Sequence, residues 1–198
     1  GRSFEVPLMT VSLEVLDETF DEVAEQIDAV LASDFHDLVV GVSVPTSHPD
    51  QVRLEREYGN DPRVLIVDDL LAAVPHAAFR LEVPSRVILH PLDIGILFRG
   101  LEDRGLVRVD LGRTGELRMA RTRALRRAEH AGVDDVWTMA GFLFGERVMD
   151  SETIGATAVV GRLSISSGPS SAKNAWNHKG LQQGASIPTR IHRFHIVL

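Results

Sequence analysis

Within its first seventy residues the chain spells strand, helix, strand, helix, strand, and that order leaves few folds open. Thr10–Leu16 is a short apolar run that reads as a strand. A helix follows from the capping box Thr19-x-x-Glu22, whose two side chains each satisfy a backbone amide of the other's residue. Its apolar residues Phe20, Val23, Ile27, Val30 and Leu31 recur at spacings of three and four, which predicts one buried face. Leu38–Val44 is apolar on both alternating faces, as a strand covered on both sides requires, and Pro45 ends it. Ser47 starts a second helix with Pro49 near its first turn, and Asp61-Pro62 breaks it before a third apolar run, Arg63–Val67. Such a βαβαβ unit closes into a parallel sheet with right-handed crossovers. The expected class is therefore α/β, a Rossmann-like parallel or mixed sheet.

The second half is less regular. Arg80–Val83 and Arg86–Leu89 read as two short strands around Pro84, and Pro91 opens a helix with Ile94, Leu97, Phe98 and Leu101 on one face, closed by Gly105. Leu106–Leu111 alternates as a strand. Glu116–His130 is expected to be one strongly basic helix stopped by Gly132, with Val133–Met139 and Thr157–Ile165 as further strands.

Charge divides the chain. Up to Glu152 it holds 16 basic and 28 acidic residues, a charge of −12; beyond it come five basic residues and no acidic one, +5. The Ser-Ser-Gly-Pro-Ser-Ser run after Ile165 reads as a linker. Two segments are expected: an α/β domain over 1–165 and a basic tail over 166–198, the tail suited to an acidic protein partner. A net charge of −7 argues against general nucleic-acid binding. With no cysteine, thiolate catalysis and cysteine-held metals are excluded. No apolar run is long enough to span a bilayer, and residues 1–30 have no secretory pattern, so a cytoplasmic location is expected.

The stretch from Val11 to Glu18, its amphipathic helix, and Ser33-Asp-Phe-His-Asp-Leu38 leading into the second strand together resemble the opening of family-2 glycosyltransferases. Met119-Ala-Arg-Thr-Arg-Ala-Leu125 resembles that family's A-R-N-x-A-L helix. The resemblance covers the first seventy residues and this later segment. It implies the A fold of nucleotide-sugar transferases, a nucleoside diphosphate sugar as donor, and Mn or Mg held by carboxylates to neutralise the leaving diphosphate. It places a base-gripping aspartate pair at Val44-Pro45 and a metal-holding D-x-D near Thr138–Gly141, and neither position carries a carboxylate. The nearest acidic pair to the second is Asp134 and Asp135, the candidate metal ligands.

Asp17 stands at the carboxyl end of the first strand, where open parallel sheets bind ligands; equally, it or Thr19 caps the helix. Asp68 and Asp69 follow the third strand, either as a nucleotide or metal contact or as a solvated strand-end pair. Arg121, in the basic helix, suits a diphosphate through its forked donors, or belongs to a solvated face. Two functions stay open. One is a glycosyltransferase-like domain that transfers a sugar from a nucleotide-sugar. The other is a non-catalytic interaction module with the fold retained and the active site lost.

Overall fold

The computed structural model describes residues 6–45, 47–67 and 73–158. Asp68, Asp69 and the tail lie outside the described residues.

The expected opening unit is present. Strand β1 (Met9–Glu14) leads to helix α1 (Phe20–Leu31), strand β2 (Leu38–Ser43), helix α2 (Gln51–Tyr58) and strand β3 (Val64–Ile66). Strand β4 (Phe79–Val83) and the two-residue β5 (Val87–Ile88) precede helix α3 (Asp93–Leu101). Then come β6 (Leu106–Asp110), β7 (Glu116–Arg121), α4 (Thr122–His130), α5 (Val136–Phe144), β8 (Glu146–Met149) and β9 (Thr157–Ala158). Seven strands form one sheet in the order β3-β2-β1-β4-β7-β6-β8, and β5 pairs with β9 separately. Every neighbour in the large sheet runs parallel except β7, which is antiparallel to both β4 and β6.

Two faces of that sheet are built differently. One is fully apolar: Val11, Leu13, Val40, Val42, Leu81, Val109, Leu117 and Met119 pack beneath Val23 and Ile27 of α1, Leu54 of α2 and Leu97 of α3. The opposite face is divided. Over β6 and β7, Leu106 and Ala120 meet Ala124, Leu125 and Ala128 of α4 and Ala140 of α5 in a second, smaller core. Toward β4, β1 and β2 the same face is polar, since period-two alternation places Ser12, Glu14, Ser43, Arg80, Glu82 and Arg118 there.

Two expectations are corrected. Glu116–His130 is not one helix: residues 116–121 form β7, and only Thr122–His130 is helical. Leu117 and Met119 go into the main core while Arg118 faces the other way, and ladders to β4 and β6 hold the segment extended. Tertiary pairing overrides the helix propensity of Glu, Leu, Arg, Met and Ala. Val133–Met139 is not a strand either, because α5 begins at Val136. The Asp135 carboxylate accepts from the Thr138 amide at 3.0 Å and starts the helix. Among the described residues no helix is long and apolar enough to cross a membrane.

Helix α5 returns to the sheet through Gly105. A Cβ there would stand 2.4 Å from the Phe144 Cβ, so only glycine permits this approach. Gly105→Ala is expected to cost about 1–3 kcal/mol, the usual range for overpacking. Chemical denaturation checks it; a neutral result would show that Phe144 moves aside freely.

Candidate functional site

The sheet reverses its order at β1. The chain steps from β1 outward to β2 and β3, then crosses back to lay β4 on the other side of β1. In open α/β sheets the crevice outside the carboxyl ends at such a reversal is where ligands sit. Here the loops after β1, β2 and β4 meet at that place.

Side chains link the three loops. Glu18, 2% exposed, accepts at Oε2 from the backbone amides of Leu16 (2.7 Å) and Asp17 (3.1 Å) and so closes the turn after β1. Its Oε1 is buried without a hydrogen bond of ordinary geometry, and the Ser85 side chain in the loop after β4 lies near the carboxylate. Burial acts to raise the Glu18 carboxyl's pKa, but Ser85 and the backbone amides outweigh it and hold it below the ordinary value. From the loop after β2, His48 Nδ1 accepts from the Asp50 amide at 3.2 Å, so the proton sits on Nε2 and is donated to the Glu18 carbonyl at 3.0 Å. Asp50 in turn accepts from the Phe20 amide at 3.1 Å, at the start of α1.

The turn after β4 is held from below. Buried Gln26 of α1 donates to the carbonyls of Pro84 (3.2 Å) and Val87 (3.1 Å). Between those anchors Arg86 adopts φ 59°, a left-handed conformation uncommon outside glycine. Its guanidinium reaches back to Asp17 at 3.1 Å, bridging the loops after β4 and β1.

Beside this crevice a groove of about 600 Å³ runs along the polar face of the sheet, lined among others by Ser12, Glu14, Ser43, Glu82, Arg118 and Trp137. Glu82 organises it. Arg118 donates to Oε2 from Nε (3.1 Å) and Nη2 (2.6 Å), and Trp137 donates to Oε1 at 2.9 Å. The guanidinium of Arg118 also lies 5.0 Å from the centre of the Trp137 ring. An indole beside a fixed arginine–carboxylate pair offers a flat surface with a polar edge.

No protein-family model matches the sequence, and no curated protein matches it in sequence. Solved structures do match. A mannosyltransferase, PcManGT from Pyrobaculum calidifontis in complex with GDP-Man and Mn2+, superposes with a TM-score of 0.57 at 14% identity, over 74% of this chain and 55% of that one. Residues 1–349 of TarS from S. aureus give a TM-score of 0.52 at 12% identity, over 72% and 57%. The same protein in complex with UDP gives 0.53 at 10% identity, over 74% and 59%.

The fold is that of the A-type glycosyltransferases. The likeness is one of architecture, and this chain spans 55–59% of the length of those neighbours.

Within the A-type fold the expected site residues fall into separate places. Asp17 is at the crevice, exposed and paired with Arg86, while Thr19 rather than Asp17 caps α1. Asp134 and Asp135 stand on the rim of the groove at the start of α5. Thr138 lowers the Asp135 pKa first through its hydroxyl, at 2.6 Å, and then through its amide. Arg121 is carried away from the crevice: it pairs with Phe79 at the amino end of β4, the far end of that strand. There it donates to the carbonyls of Arg104 (3.1 Å) and Glu102 and covers the Phe79 ring, closing the turn after α3. At the end of β2, Val44 is buried, and no carboxylate replaces it until Asp50, which is engaged with α1.

Among the described residues the donor set does not suit a divalent cation. Among the described residues no three histidine or acidic side chains converge. Four carboxylates at this end have other partners: Asp17 has Arg86, Glu18 its amides, Glu82 has Arg118 and Trp137, and Asp135 has Thr138. The sequence reading missed Glu18, Gln26, His48, Glu82, Arg86 and Trp137. Pro84 marked the turn that carries Arg86, and Glu18 closed the stretch on which the family resemblance rests.

Proposed function

We propose that this domain binds a nucleoside diphosphate sugar in the crevice between the carboxyl ends of β1 and β4, as a glycosyltransferase that transfers the sugar to an acceptor. One observation carries the reading: three loops linked through Glu18, His48, Gln26 and Arg86 meet at the order reversal of an A-type glycosyltransferase sheet. Loops tied together by hydrogen bonds at that position suit a ligand that must be held in one orientation. Asp17 and Arg86 face the donor. The groove beside Trp137 and the Glu82–Arg118 pair, with Asp134 and Asp135 on its rim, takes the sugar or the acceptor, since sugars stack on aromatic faces and bond to charged edges.

A second reading, a non-catalytic interaction module, is favoured by the lack of a convergent carboxylate set among the described residues. In that case the basic segment 166–198 would meet an acidic partner protein.

Thermal unfolding in the presence of uridine, guanosine and thymidine diphosphate sugars separates the two. A ligand held only by the native state stabilises it by about 2.7 kcal/mol at a hundred times its Kd. At least one of these sugars is expected to raise Tm by several degrees. If none moves Tm at millimolar concentration, the interaction module is the better account.

A further inference from the structure

Resting on the nucleotide-sugar reading above, we infer that Arg86 supplies the positive charge that holds the donor's diphosphate, in the role a carboxylate-bound divalent cation would fill. The argument begins with the turn after β4, at the edge of the crevice. A bound metal there needs several converging oxygen ligands, and this turn, Pro84-Ser85-Arg86, contributes none from a carboxylate. It contributes a guanidinium instead.

Three features set Arg86 apart from a surface arginine. Its backbone has φ 59°, an unfavourable conformation for a side-chain-bearing residue, although a glycine at this position would relieve it. Gln26 holds the carbonyls of Pro84 and Val87 on either side of Arg86. Its Nε is fully shielded from solvent yet has no acceptor among the described residues. A shielded donor without an acceptor carries a desolvation cost, which is removed when the side chain turns to present it to an anionic oxygen. The guanidinium also has room to exchange partners. Its contact with Asp17 joins side chains 42% and 77% exposed, and such ion pairs contribute about 0–1 kcal/mol. A diphosphate, with two charges and several oxygens, competes well against a single exposed carboxylate for a forked, permanently charged donor. Of the acidic groups nearby, Glu82 is paired with Arg118 and Glu116 with Arg108, which leaves Asp17 as the carboxylate a diphosphate must displace.

Titration calorimetry of the full chain with GDP, UDP and TDP tests the assignment, each nucleotide being measured in EDTA and again with millimolar Mn2+. The expected result is binding of one nucleotide in EDTA, unchanged by Mn2+ and weakening as salt rises. Arg86→Gly is the informative variant, because glycine accepts the turn's φ without strain. It is expected to melt no lower than the parent and to bind the nucleotide at least tenfold more weakly, the loss of about one charge-assisted hydrogen bond. Arg86→Lys, which keeps the charge, is expected to recover part of that loss. Binding that appears only with Mn2+, or that Arg86→Gly leaves unchanged, would overturn the role of Arg86 while leaving the nucleotide-sugar reading in place. Absence of binding by any of the three nucleotides under both conditions would overturn that reading itself, and this assignment with it.

Discussion

Replacing Ile27 by alanine is expected to remove about 2–5 kcal/mol of stability, the range measured for large-to-small changes at fully buried positions. Ile27 has no exposed surface, and with Val23 and Val30 it forms the stripe of α1 that lies in the main core with β1 and β2. The packing there is closed on every side, so the neighbours cannot collapse fully into the space, and a cavity term adds to the lost burial. In a domain of this size each kcal/mol lowers Tm by roughly 2–4 °C, so thermal and urea unfolding should both register the change clearly. A loss below about 0.5 kcal/mol would mean that this stripe of α1 does not face the sheet.

The second large effect concerns Glu18, and it links stability to the site. Glu18→Ala strips the backbone amides of Leu16 and Asp17 of their acceptor and is expected to cost about 2–3 kcal/mol. Glu18→Gln keeps the shape and removes the charge, so its cost should be smaller and should depend on pH. Because the folded carboxyl's pKa lies below its ordinary value of 4.5, its contribution is fully present above that value. It is lost as pH falls from there through the folded pKa. The stability gap between the parent and Glu18→Gln should therefore be widest near neutral pH and close in acid. Urea midpoints across an acid series measure it, and a gap that stays constant to the acid limit of the native state would contradict the charge-assisted role. On the nucleotide-sugar reading, the same variants should weaken nucleotide binding more than Ile27→Ala does, since Glu18 shapes the loop that carries Asp17.

The Asp93 carboxylate shows how such buried acids tie distant segments in this fold. It has no exposed surface, and its two oxygens accept from the amides of His90 (2.8 Å) and Gly155 (2.7 Å), joining the start of α3 to the segment before β9. Its two bonds span separations of three and 62 residues. Nothing in the spacing around Asp93 announces the longer one.

What was legible in the sequence is what depends on near neighbours. The capping box Thr19–Glu22, the three-and-four spacing of Val23, Ile27 and Val30, and the doubly apolar run of β2 are local patterns with a fixed period, and each stands where it was expected. Together they dictate a βαβαβ opening, and right-handed crossovers then leave little choice of topology. The tertiary structure decided whatever depends on partners far along the chain. Glu116–Arg121 has a composition suited to a helix, yet it is a strand because β4 and β6 lie on either side and offer it two ladders. Arg121, expected at a phosphate, was turned by that strand to the opposite end of the sheet. The candidate site has the same origin: Arg86 meets Asp17 across 69 residues, and Gln26 holds Pro84 across 58. Periodicity reports which face a residue shows to its own helix or strand. Only the closing of the sheet at β1 and β4 brings those loops within hydrogen-bonding distance.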